Sequence, residues 1–165
     1  MTVLIRNRSL VEDTWRVLQV EDALPADGDV LVPLATWKEQ SAFVGDRSGS
    51  TGVWLAPDDD PADIGHPPML IAVHFPAFTD GRGYSTARLL RQRYGFAGEL
   101  RAIGDVLRDQ LHELARCGFD SFALRQDQDP AEALRAFDDF SESYQAGADR
   151  GALFERRFGR ERNAA

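Results

Sequence analysis

The segments TVLIR and LVEDTWRVLQV, split by the polar break NRS, alternate apolar and polar positions as a β-hairpin does, with Trp15 and Val17 on one face. The turn-rich EDALPADGD leads to a short strand at about 30–34, which Pro33 places near an edge or at its end. A helix over about 35–43 and the loop GDRSGST precede a strand at 52–56. After the connector PDDDPADIGHPP comes MLIAVHF, residues 69–75, a near-continuous apolar run of the kind expected where both faces of a strand are covered.

Three helices follow, each with a start or stop signal. STARLLRQRYG opens at Ser85 as N-cap and stops at Gly95 as a left-handed C-cap. DVLRDQLHELARCG sets Leu107, Leu111 and Leu114 on one stripe and ends at Gly118. DPAEALRAFDDF has Asp129 as N-cap, Pro130 at the first helical position and Glu132 at the third. Short strands at 99–104 and 121–125 lie between them. The strand–helix alternation predicts an α/β layered domain: a mostly parallel sheet of about five strands flanked by helices, plus a small antiparallel hairpin at 1–24. Part of a β/α barrel is the alternative. One domain is expected to span 1–165, with an arginine-rich tail over 150–165 that frays.

Composition narrows the function classes. A net charge of −8 and a pI near 4.8 argue against nucleic acid or an anionic membrane surface as partner. The basic residues are arginines except Lys38, so no lysine cluster offers a Schiff base or phosphate anchor. The single cysteine, Cys117, cannot form a disulfide or an iron–sulfur ligand set within this chain, and His66, His74 and His112 lack metal-ligand spacing. No cofactor or metal is evident from the residues. The charged N-terminus lacks the core of a signal peptide and no window suits a membrane span, so a cytoplasmic location is expected.

The candidate chemistry sits in HFPAFTDGRGYSTARLL, residues 74–90, where the buried strand runs into a glycine–arginine loop. Ligands of parallel sheets bind beyond the carboxyl ends of the strands. Gly81 and Gly83 would let a ligand approach the backbone, Arg82 offers a planar fork to an oxyanion, and amides near Ser85 would add partial positive charge. Asp80 would pair with Arg82 or Arg88, or meet a hydroxyl. The competing reading is turn chemistry over Thr79–Gly81 with Ser85 as a simple cap. A dinucleotide fingerprint is incomplete, because the third glycine is missing, although Asp105 follows the next strand as an acidic partner would. Arg101, inside that strand, needs a carboxylate, with Asp80 and Asp105 the natural candidates. His74 reads as a core histidine or as a proton carrier beside the loop. Cys117 and the phenylalanines at 75, 78, 96, 119 and 122 read as core, and Phe137, Phe140 and Tyr144 as a docking stripe, internal or against a partner.

The run FTDGRGYSTARLLRQRYGFAGELRAIGDVLRDQLHELARCGFDSFALR resembles a bacterial domain-of-unknown-function family commonly encoded beside assimilatory sulfite reductase. Its motif F-T-D-G-R-G-Y-S maps onto Phe78–Ser85, and G-E-L-R-A-x-G-D-V-L-x-D-Q onto Gly98–Gln110. Members are often labelled probable oxidoreductases of sulfite reduction. The resemblance implies sulfur assimilation as the pathway and sulfite reductase as a partner, with no catalytic residues to carry over. Six-electron reduction of sulfite needs haem and iron–sulfur centres, for which this chain offers no ligand set. The expectation is therefore an accessory protein of sulfite reduction, with a small-molecule oxidoreductase or an anion- or nucleotide-binding protein as the alternative.

Overall fold

Strand-forming runs dominate the chain, and all of them enter one sheet. The structure, a computed structural model, describes residues 2–40 and 47–137. Its strands are β1 (Thr2–Arg6), β2 (Ser9–Asp13), β3 (Arg16–Val17), β4 (Val30–Pro33), β5 (Thr51–Leu55), β6 (Leu70–Phe75), β7 (Glu99–Gly104) and β8 (Ser121–Phe122). Its α-helices are α1 (Leu34–Gln40), α2 (Arg82–Arg88), which runs on into a π-helical turn at Leu89–Arg93, α3 (Leu111–Cys117) and α4 (Pro130–Ala133). The strand order is β2-β1-β8-β7-β6-β5-β4-β3.

The sheet is therefore larger than five strands, and mixed. β3 to β8 run parallel, while β1 pairs antiparallel with both β2 and β8. The N-terminal hairpin is part of the sheet because Ile5 and Arg6 register against Phe122 and Ser121. Its tight turn is made by Asn7 and Arg8, both at positive φ, whose twist suits the flanking strands. The second hairpin strand ends at Asp13, whose carboxylate accepts from the Trp15 N–H at 3.2 Å. Trp15 and Val17 consequently leave the hairpin, and Val17 lies in β3 at the opposite edge.

That connection dictates the shape. A flat sheet of eight strands would set its edges roughly 33 Å apart, at about 4.8 Å per gap. Thr14 and Trp15 are the only residues between the two edge strands, and three extended peptide steps reach about 11 Å. The sheet must curl until its edges nearly meet, which brings it closer to the alternative of a partial β/α barrel than to an open layered sheet. On the inner face Leu31, Leu70, Ala72 and Ile103 pack with Trp15, Trp54 and Ala123. On the outer face Val32, Val53, Ile71, Val73 and Phe75 pack with helix residues such as Leu34, Leu90, Leu111 and Leu114.

Arg101 is the exception on the inner face. It projects from β7 and is 1% exposed. Its Nε and Nη2 donate to Glu99 Oε1 at 3.0 and 2.8 Å, and its Nη1 donates to Asp13 Oδ1 at 2.9 Å. The Trp15 ring lies 5.9 Å from the guanidinium carbon. The expected partners, Asp80 and Asp105, are not used, because they stand at the opposite end of the strands. β7 and β2 are three places apart in the sheet, so on a flat surface this contact would be out of reach. Burial raises the Glu99 carboxyl, and the Arg101 bonds more than reverse this, leaving it below its ordinary value of 4.5.

Several local signals hold as expected. Gly95 and Gly118 take positive φ where α2 with its π-turn and α3 stop. The Asp129 carboxylate accepts from Ala131 N at 2.9 Å ahead of Pro130. The second helix, however, starts at Arg82 with Gly81 as N-cap, so Ser85 lies inside it. The third begins as a 3-10 turn at Arg108–Gln110, and Gln110 Oε1 accepts from Leu107 N at 3.0 Å. Phe78 is 51% exposed and not core, while Phe137 is buried against Phe122. Phe140, Tyr144 and the 150–165 tail lie outside the described residues. Among the described residues no helix is long and apolar enough to cross a membrane.

Replacing Arg101 with leucine strands two carboxylates in the curl. Arg101→Leu should lower stability by about 3–5 kcal/mol in urea denaturation at pH 7. Adding Glu99→Gln and Asp13→Asn should recover part of that loss. Because the folded Glu99 pKa is depressed, its contribution is complete above pH 4.5 and fades as pH falls through the folded value. Arg101→Leu should abolish that acid-dependent component.

Candidate functional site

The carboxyl ends of the parallel strands open onto one rim, formed by the loops that follow β5, β6, β7 and β8. Two arginines organise it in the same way. Arg82 Nε and Nη2 bind Asp80 at 3.0 and 2.6 Å, and its Nη1 binds Asp58 Oδ1 from the β5 loop at 2.5 Å. Arg125 Nε and Nη2 bind Asp127 at 2.6 and 2.7 Å, and its Nη1 binds Asp105 Oδ1 from the β7 loop at 2.7 Å. Each fork takes a bidentate carboxylate two residues away in sequence and a second carboxylate from a neighbouring loop.

The electrostatics follow from these bonds. The side-chain bond from Arg82, then its backbone N–H, pull the Asp80 carboxyl down to about 2. Asp80 and then Asp58 raise the Arg82 guanidinium above its ordinary value, and Asp127 and then Asp105 do the same for Arg125. The two triads hold four carboxylates against two guanidiniums, so the rim is acidic. Both edges of each fork are occupied. An incoming oxyanion would have to displace a bidentate carboxylate and then remain beside it.

Phe78 braces the loop after β6 to the loop after β7, and Asp105 carries the brace on to a third. The Phe78 N–H donates to Asp105 Oδ2 at 2.8 Å, and its carbonyl accepts from Gln110 Nε2 at 2.9 Å. The same Gln110 amide lies 3.2 Å from the Tyr84 hydroxyl. Asp105 thus joins the β6 loop to Arg125 in the β8 loop, rather than capping the following helix.

The structure brings Asp80, Gly81, Arg82, Gly83 and Asp105 to this rim. The two glycines do different work. A Cβ on Gly83 would stand 2.5 Å from Phe75 Cζ, so this glycine lets α2 seat on the sheet. Gly81 has φ −84° and open space around it. Ser85 is exposed on the outer side of α2, and the amides near it fall inside the helix. Arg101 stands apart, within the curl. His74 is half-buried on the inner face below the rim, edge-on to Trp54 at 5.6 Å, and burial lowers its pKa. Asp58, Gln110, Arg125 and Asp127 complete the rim beyond the residues singled out from sequence. One signal was available for them: Arg125-x-Asp127 mirrors the Asp80-x-Arg82 spacing. Among the described residues no three His, Cys, Asp or Glu side chains are grouped to hold a metal ion.

The glycines give a direct check on this division of labour. Gly83→Ala should destabilise the fold by about 1–3 kcal/mol through overpacking against Phe75. Gly81→Ala should change stability by less than about 0.5 kcal/mol, both read from denaturation midpoints.

No protein of curated function matches the chain. A family profile described as "Bacterial protein of unknown function (DUF934)" matches residues 52–154, which hold the whole rim and the strands β6 to β8 that carry most of it. More than half of the chain is covered by that match, and the chain belongs to this DUF934 family.

Proposed function

We propose that this protein is an accessory factor of assimilatory sulfite reduction that works by protein–protein contact through its acidic rim, with sulfite reductase as the partner. The pathway comes from the family resemblance; the mode of action comes from the rim. The observation that carries it is the double commitment of Arg82 and Arg125, each held between two carboxylates. Such a surface repels sulfite and nucleotide phosphates. It attracts a basic protein face, where ring-like acidic patches raise association rates and set orientation.

A reductase needs its electron carriers and its assembly controlled, and a protein with one buried cysteine can serve both by docking alone. Contacts at a charged rim suit reversible association, which separates easily as salt rises.

Purified protein and purified sulfite reductase should associate at micromolar concentration in an interferometry assay, with weaker binding as salt rises from about 50 to about 300 mM. Asp58→Asn combined with Asp127→Asn should slow association about 3- to 10-fold. No association in oxidised or reduced buffer overturns the proposal. A ligand at a hundred times its dissociation constant would add about 2.7 kcal/mol of stability. A thermal shift with sulfite or sulfate that disappears in Arg82→Ala would therefore restore an oxyanion site in its place.

A further inference from the structure

The rim presents a large apolar side chain to solvent. Phe78 is 51% exposed, yet the main chain that carries it is fastened on both sides. Asp105 holds its N–H and Gln110 its carbonyl, each through a side chain from the next loop along the rim. Asp105 is itself held by Arg125, and Gln110 is further placed by its bond to Leu107 N. On the other flank the loop is tied to the β5 loop through Asp80, Arg82 and Asp58. A turn that only connects β6 to α2 needs no such bracing, since exposed loops ordinarily keep their freedom.

Ordering a loop before binding removes an entropic cost that would otherwise oppose association. Aromatic side chains presented in this way are where binding energy concentrates. From this juxtaposition we infer that Phe78 is the anchor residue of the docking rim, inserted into an apolar socket edged by arginine or lysine on the partner. The inference rests on the docking reading above and adds the chemistry of the surface that is recognised. The socket must be apolar to take the ring. It must be basic at its edge because the rim that carries the anchor holds Asp58, Asp80, Asp105 and Asp127, which leave two net negative charges after pairing with Arg82 and Arg125. Gln110 acts as a positioning residue: it holds the anchor without itself entering the socket.

The test titrates the full-length protein against purified sulfite reductase and compares Phe78→Ala, Gln110→Ala and Tyr94→Ala. Tyr94 is a control, 45% exposed beyond the π-helical turn and away from the rim. Phe78→Ala should weaken binding about 10- to 100-fold with an unchanged melting midpoint. Gln110→Ala keeps the ring but frees the loop, and should weaken binding by a smaller factor, about 3- to 10-fold. Tyr94→Ala should stay within about twofold of wild type. If wild type binds and Phe78→Ala binds equally well, the anchor is overturned while the docking rim stands. Binding that is lost in Phe78→Ala but indifferent to salt overturns the basic edge of the socket. If wild type does not bind the reductase at all, the docking reading fails and the anchor falls with it. Sedimentation of the free protein supplies the last arm: a dimer that dissociates in Phe78→Ala makes a second copy of this chain the occupant, and overturns the basic partner.

Discussion

The Arg101 guanidinium inside the curl is the interaction on which the rest of the architecture depends. It is nearly without solvent, and its charge is balanced by Glu99 on its own strand and by Asp13 on the edge strand. A buried cation is tolerable only when carboxylates satisfy it, so the network selects the one sheet curvature that brings β2 over β7. An open sheet would leave Arg101 with Glu99 alone and Asp13 exposed at a distant edge. The Thr14–Trp15 link demands the same curvature from covalent geometry. Chain connectivity and electrostatics thus require one shape independently, and that agreement specifies the fold beyond what apolar packing would do.

Curvature then determines what the rim can be. Loops after adjacent parallel strands converge at the mouth of a curled sheet, whereas an open sheet would string them in a line. Convergence lets Asp58, Asp105 and Asp127 reach arginines on other loops or two residues along their own. The near-exclusive use of arginine for positive charge finds a physical explanation here. A planar fork can hold a bidentate carboxylate and still donate to a third group, which a lysine ammonium cannot do with fixed geometry. Arg91 repeats the device at the other end of the strands, donating to the carbonyls of Phe96, Gly98 and Gly118 and to Asp120. Among the described residues, Arg82, Arg91, Arg101 and Arg125 each staple separate segments together.

What the sequence made legible was local. The apolar run of β6, the left-handed stops at Gly95 and Gly118, and the Asp129 cap depend on neighbours in the chain, and each stands as read. What it concealed was non-local or too short for a pattern. β3 is two residues long, less than one full alternation, so its separation from the hairpin could not be read from periodicity; a strand at 121–125 was read where β8 lies, but not the place of the hairpin beside it. The Arg101–Asp13 pair spans 88 residues. The Glu99 partner, by contrast, is local, because positions two apart on a strand share a face. A serine hydroxyl is the commoner cap, which is why Ser85 reads as the start, yet the helix begins at Arg82 behind Gly81. In the structure the Asp80 carboxylate accepts from Arg82 N at 3.1 Å, so the first free amide is satisfied from one position earlier.

The loop FTDGRGYS reads differently once each residue has its contact. Asp80 and Arg82 pair with each other, Gly83 makes room for Phe75, and Tyr84 meets Gln110 and packs edge-on to Phe75. Features that look like ligand chemistry in one dimension, a glycine pair around an arginine beside hydroxyls, are spent on holding the loop's own shape. A cradle for a small anion would instead leave its cation uncommitted and its amides open. Among the described residues, arginines committed to carboxylates, acidity at the mouth and the exposed ring of Phe78 are the properties on which the proposed docking role rests.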